Sequence, residues 1–152
     1  MSMLFTKMHG LGNDFIITQE GALLKDPAEA ARQLCQRSFG IGADGLVLLF
    51  PSEQAHITMR IYNPDGTEAE MCGNALRCVA RYMWERGMVV EDEILVDTRA
   101  AIKRARILPG GLVRVNMGEP ILISTAIPVS GPERHVLKEV IEAKGQTLNY
   151  TA

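Results

Sequence analysis

Two periods run through the apolar positions of this chain. Ile57, Met59 and Ile61 alternate with Thr58, Arg60 and Tyr62, which predicts a half-buried strand. Met3 to Met8 reads as a short strand with Phe5 facing inward, and Phe15 to Thr18 as a second. Gly10 and Gly12 allow a tight loop between them, with Asn13 in that loop. Leu46 to Phe50, Ile94 to Asp97 and Ala101 to Leu108 read as further strands. Pro109-Gly110-Gly111 turns the last of these into Leu112 to Met117, where Val113, Val115 and Met117 alternate. The second period is helical. Leu76, Val79, Ala80, Met83 and Trp84 recur at helix spacing, with Asn74 as N-cap and Gly87 as the stop. Asp26-Pro27-Ala28-Glu29 opens another helix, with Asp at the N-cap, Pro at the first helical position and Glu at the third. Its buried stripe is Ala30, Ala31, Leu34 and Cys35, and Gly40 ends it. The tail supports two readings. Val136, Leu137, Val140 and Ile141 have helical spacing behind a capping box from Ser130 to Glu133; the same stretch reads as a hairpin from Val140 to Thr151 turning at Lys144-Gly145-Gln146. Strands with two firm helices indicate an α+β fold.

Composition narrows the function classes. A length of 152 residues is one domain by prior and long enough for a core. Hydrophobic residues make up 47% and charged residues 22%, as in ordinary globular proteins. A net charge of −2 with no basic block argues against nucleic acid or an anionic membrane as partner. The longest apolar run is far too short to cross a bilayer, and Lys7 and His9 arrive before any signal-peptide core develops. Three cysteines form no even disulfide framework, which fits a reducing cytoplasm.

The chemistry concentrates where a turn runs into a helix. Asn63-Pro64-Asp65-Gly66 is strong turn chemistry, and Cys72-Gly73-Asn74 lies at the start of the helix that follows. A thiol there meets free N–H groups and the positive end of the helix dipole, a setting that favours the thiolate. The same N–H groups, from Gly73 and Asn74, can hold a carboxylate. Cys72 and Cys78 lack zinc-knuckle spacing and have no histidine close in sequence, so no metal site is expected. Cys78 and Cys35 read as core residues. A Cys–His hydrolase through His9 is an alternative, although no third member stands out. Gly40-Ile41-Gly42-Ala43-Asp44-Gly45 spells G-x-G-x-x-G, but a helix precedes it and a strand follows, the reverse of a dinucleotide fingerprint. Those glycines are read as shaping a loop. By chemistry alone Asn13 reads as a turn residue bonding its own backbone rather than as a ligand contact.

Cys72-Gly73-Asn74-Ala75-Leu76-Arg77-Cys78 after Asn63-Pro64-Asp65-Gly66 resembles the first-thiol motif of the diaminopimelate epimerase family. Met8 to Phe15, Gly40 to Gly45 and Arg114 to Pro120 are similar to its other signatures, in the family's order. Two positions depart from that pattern: Ala75 stands where the family usually has Gly, and Gly45 where it often has Gln. The resemblance implies a diaminopimelate epimerase-like domain, a curved, mainly antiparallel sheet wrapped round a central helix. It implies that residues 1–118 are an N-terminal domain carrying the first thiol, and that 119–152 are a crossover and the start of a second domain. It favours the hairpin in the tail.

The implied activity is an isomerase that interconverts LL- and meso-diaminopimelate, for lysine and peptidoglycan precursor synthesis, with no cofactor. No Schiff-base lysine in a phosphate site is evident. One thiol abstracts the α-proton while a second, on the opposite face, delivers one. Cys72 is the implied catalytic residue; Asn13, Asn63, Gly73 and Asn74 are the implied substrate contacts. Cys78 cannot reach the opposite face, and the family's second thiol belongs to a later motif, beyond Ala152. Half a site is therefore expected here, inactive alone, with a homodimer as one arrangement that could pair two such halves. The rival readings are a related proline racemase or phenazine-biosynthesis isomerase, and a non-catalytic binding or assembly module.

Overall fold

A computed structural model describes residues 3–152. The chain divides into two compact units, the first ending at Met117 and the second running Gly118–Ala152. In the first unit the elements in order are β1 (Thr6–Gly10), β2 (Asn13–Thr18), α1 (Pro27–Leu34), β3 (Gly45–Phe50), β4 (Ile57–Tyr62), β5 (Glu68–Ala69), α2 (Gly73–Glu85), β6 (Glu93–Asp97), β7 (Ile102–Ile107) and β8 (Val113–Val115). All eight strands form one sheet in the order β1-β2-β3-β4-β6-β7-β8, with β5 beside β4. Five pairings are antiparallel and two, β2 with β3 and β4 with β6, are parallel. The sheet is therefore mixed but mainly antiparallel.

α2 is the central helix. It packs against both edge strands, β1 and β8, as well as β2, β6 and β7, so the sheet curls round it. Ala75, Leu76, Cys78, Val79, Ala80, Tyr82 and Met83 are all buried, which needs apolar residues on more than one side of the helix. Phe15, Ile17, Val47, Leu49, Met59, Ile61, Ile94 and Val96 face them from the strands. On the other side of the sheet, Ile16, Leu46 and Leu48 pack with Ala31 and Cys35 of the α1 region. β2 and β3 are thus covered on both faces, which explains the unbroken apolar run from Leu46 to Leu49. β4 is fully buried on one face only and shows strict alternation.

α1 begins as its sequence implies: Asp26 caps the Glu29 N–H at 3.0 Å, with Pro27 first in the helix. The glycine run after it has a structural task. The N–H groups of Gly42 and Ala43 donate to the carbonyls of Leu34 and Cys35, closing the helix C-terminus. A Cβ on Gly40 would lie 2.3 Å from the Gln33 carbonyl oxygen, so no larger residue fits there. α1 precedes this run and β3 follows it, as the order of apolar segments implies.

Four expectations are corrected. The first strand starts at Thr6, where pairing with Ile17 begins, and Phe5 lies before it, 45% exposed. Asn13 is the first residue of β2, opposite Gly10, because the turn needs only Leu11 and Gly12. Cys72, with extended backbone, is the N-cap of α2, and Asn74 lies inside the first turn. Trp84 is 41% exposed on the outer face of α2, with the Arg81 guanidinium 5.6 Å from its ring centre. Ala75 is helical and fully buried, so alanine suits the position better than glycine.

In the second unit, β9 (Glu139–Ala143) and β10 (Gln146–Tyr150) form an antiparallel hairpin, turning at Lys144 and Gly145, both with positive φ. Ser130 to Glu133 is loop, and no helix follows it. Arg134 closes that loop by donating to the Ser130 and Pro132 carbonyls while pairing with Glu139 at 2.6 Å. Tyr150 also donates to Glu139. Ile123 bridges to His135.

Neighbouring positions on α2 should separate the enclosed face from the open one. Met83→Ala should cost about 2–5 kcal/mol of stability. Trp84→Ala should cost about 1 kcal/mol or less. Urea unfolding of the two variants measures both.

Candidate active site

Strand register gathers the polar residues at one end of the first unit's sheet. Asn13 opens β2, β2 runs parallel to β3 with Phe15 opposite Gly45, and β3 runs antiparallel to β4 with Leu46 opposite Tyr62. Asn13, Asp44 and Asn63 therefore share an end. The N-terminus of α2 arrives there too. A Cβ on Gly10 would lie 2.8 Å from the Asn74 carbonyl oxygen, so only glycine allows the β1–β2 turn to approach the helix so closely. That approach lets the Asn74 Nδ2 donate to Asn13 Oδ1 at 2.6 Å. Arg77, one turn along, donates to Asn74 Oδ1.

Cys72 is half-buried, packed against the α2 core, and its side chain makes no capping bond. The first-turn N–H groups of α2 are thus left for another partner. Met117 packs by its sulfur against Gly73. Asn63 is held by its own turn. Its Nδ2 donates to Thr67 Oγ1 at 2.9 Å, and Thr67 donates in turn to Asp65 Oδ1 at 2.6 Å. No hydrogen bond joins Asn63 to the Asn13–Asn74 pair among the described residues. Cys72, Gly73, Asn74 and Asn13 are brought together; Asn63 joins them only through its place at the same end of the sheet.

The three thiols differ in setting. Burial pushes Cys35 up to about 11, helped by the negative charge of Asp14, and burial likewise pushes Cys78 up to about 11. Cys72 alone reaches solvent. No histidine hydrogen-bonds to Cys72 among the described residues, and His56 instead accepts from the Leu95 N–H. Nor does any group of three metal-ligating side chains occur among them. No helix there is long and apolar enough to cross a membrane.

A charged cluster braces this end from outside. Arg37 pairs with Asp14 at 3.0 Å and with Asp44 at 2.7 Å, and Lys7 pairs with Asp14 at 3.0 Å. Asp44 also accepts from the Asp14 N–H at 3.0 Å and from Asn13 Nδ2 at 3.4 Å. The hydrogen bond from Arg37, with that from Lys7, holds the Asp14 carboxyl far below the usual carboxylate range. Asp14, Asp44, Arg37, Lys7 and Arg77 carry no site signal in the sequence reading. Asp14, Asp44 and Arg77 could have been noticed inside the quoted motifs, but Arg37 is placed only by the end of α1.

The same curled sheet and central helix occur in solved structures of epimerases and racemases. A hydroxyproline epimerase from Agrobacterium vitis superposes with a TM-score of 0.62 at 19% identity, over 98% of this chain and 48% of that one. A probable proline racemase from Agrobacterium radiobacter gives 0.63 at 21% identity, over 97% and 48%. At such identities the likeness is one of fold. Sequence narrows it further. The family model described as Diaminopimelate epimerase matches residues 5–123. The diaminopimelate epimerase of Pelotomaculum thermopropionicum is 52% identical over 99% of this chain and 56% of its own length; that of Desulforudis audaxviator is 50% identical over the same shares. The chain belongs to the diaminopimelate epimerase family, and it spans little more than half the length of these relatives.

The Asp14 pairing sets a pH dependence. Its pKa is depressed in the folded chain, so its contribution to stability is full above the ordinary carboxylate value of about 4. That contribution fades as the pH falls below it. Arg37→Gln should move the Asp14 titration upward and weaken the fold's resistance to acid, both readable by carboxyl NMR and acid unfolding.

Proposed function

We propose that this chain carries one half of a cofactor-independent amino-acid epimerase site, acting in the interconversion of LL- and meso-diaminopimelate. The observation that carries the proposal is Cys72, a solvent-reachable thiol at an uncapped helix N-terminus with the Asn13–Asn74 amide pair beside it. The α-carboxylate is held by the N–H groups of Gly73 and Asn74, where the helix dipole favours negative charge. Asn13 and Asn63 hydrogen-bond the polar groups of the substrate. The Cys72 thiolate takes the proton from the α-carbon, and the electron pair left behind spreads into the bound carboxylate. A thiol on the opposite face returns a proton, inverting the centre, and no redox partner or cofactor is consumed. Run backwards, Cys72 is the acid.

The family relationship supports lysine and peptidoglycan precursor synthesis in the cytoplasm as the setting. It supports residues 1–118 as the domain bearing the first thiol and 119–152 as the opening of a second. Pairing of two copies is supported by an apolar rim near the site. Leu11, 86% exposed at the β1–β2 turn, and Leu112 line a cavity of about 220 Å³ with Arg77. Sedimentation should show self-association, and mild oxidation a disulfide between the Cys72 residues of two copies; a strictly monomeric chain without that cross-link eliminates the dimer.

Iodoacetamide near neutral pH, with peptide mass mapping, tests the site. Cys72 should be alkylated first, at least about tenfold ahead of Cys35 and Cys78, whose buried thiols resist ionisation. Faster labelling of either buried thiol would defeat the assignment.

A further inference from the structure

We infer that Arg77 and Asp44 are positioning residues that set the hydrogen-bond direction of the Asn74–Asn13 amide pair, and so decide which atoms it offers a bound amino acid. The inference rests on the site reading above. A side-chain amide has nearly the same shape at both ends, an oxygen that accepts and a nitrogen that donates. Two amides in contact can therefore run in either direction. Here the ends are charged and one-way. Arg77 has donors only, so Asn74 must turn its oxygen toward it. The Asn74 nitrogen is then left to face Asn13, which must present its own oxygen, as it does at 2.6 Å. The Asn13 nitrogen in turn faces Asp44, whose ionised carboxylate has acceptors only. Asp44 is itself fixed, by Arg37 on its other oxygen and by the Asp14 N–H. Reversing the row would set donor against donor at Arg77 and acceptor against acceptor at Asp44.

One further fact singles out Arg77. Among the described residues its Nε is buried with no hydrogen-bond partner, so the guanidinium is not seated by a full set of bonds and the contact with Asn74 carries its orientation. The direction of the row leaves defined capacity. Asn13 and Asn74 each keep one N–H and one oxygen lone pair, and the remaining Asn74 lone pair lies on the oxygen turned to Arg77. The N–H groups extend the carboxylate-binding turn of α2, and the Asn13 oxygen is placed to accept from an ammonium. An amino acid could then bind in one orientation only, with its α-carbon presented to Cys72.

The test uses the whole chain labelled with ¹⁵N, and three variants: Asp44→Asn, Arg77→Met and Arg77→Lys. Asp44→Asn keeps the shape but can donate as well as accept. Arg77→Met keeps an apolar stem without a donor, and Arg77→Lys restores a donor-only end. Backbone signals remote from the site report that each variant is folded. In Asp44→Asn and Arg77→Met the side-chain amide signals of Asn13 and Asn74 should double or move toward free-amide positions, and in Arg77→Lys they should stay single. Titrated with meso-diaminopimelate, the first two should bind about tenfold more weakly than the parent chain, the loss of an oriented hydrogen bond, and Arg77→Lys within about threefold. Unchanged amide signals in Asp44→Asn and Arg77→Met, or unchanged affinity beside altered signals, would overturn the inference. If the parent chain itself does not bind meso-diaminopimelate, the site reading falls for the isolated chain, and the amide signals alone then judge the direction of the row.

Discussion

Enclosure of one helix by a curled sheet is the constraint on which the first unit depends. α2 buries side chains toward both edge strands, β1 and β8, so the sheet has to bend round it and cannot lie flat. The same enclosure sorts the chemistry. Cys78, in the middle of the helix, is buried and its thiol is hard to ionise. Cys72, at the helix start, lies where the enclosing sheet opens, and it keeps contact with water. Two thiols six residues apart thus receive opposite settings from one packing arrangement, without any difference in their own chemistry.

Close backbone approach brings the polar residues of the candidate site together. Gly10 lets the β1–β2 turn touch the first turn of α2, and only at that distance can the Asn13 and Asn74 amides meet. The charges around them are arranged from outside inward. Arg37 and Lys7 neutralise Asp14, Arg37 also holds Asp44, and Asp44 steadies the strand end from which Asn13 projects. A charged pair at the surface contributes little to stability by itself. Linked to a strand terminus and to the Asn13 amide, the cluster contributes order at the candidate site.

The departures from the family pattern follow the same packing. Alanine at position 75 sits inside a regular, buried helical turn, where glycine would bring only a cost in backbone entropy. Gly45 starts β3, and a Cβ there would lie 3.3 Å from both the Phe15 ring and the Tyr62 carbonyl. The tight seat of Phe15 occupies the space that a side chain at 45 would enter.

Local pattern carried much of this protein in readable form. The strict alternation of β4, the Asp26-Pro27 start of α1, the apolar stripes of α2 and the turn chemistry from Asn63 to Gly66 each arise from interactions within a few residues, so the chain's own order displays them. The position of Cys72 was legible for that reason, being a cysteine between a turn and a helix. Phe5 and Trp84 were misread because an apolar side chain is buried only if another element covers it, and pairing begins after Phe5 while Trp84 stays 41% exposed on the outer face of α2. The tail was undecided locally, since helix and hairpin share its apolar positions; cross-strand pairing from Glu139 to Tyr150 decided it. Tertiary structure alone joined Asn13 to Asn74 across 61 residues and Asp14 to Arg37 across 23. Those contacts depend on where a sheet register and a helix end coincide in space, which no local periodicity encodes.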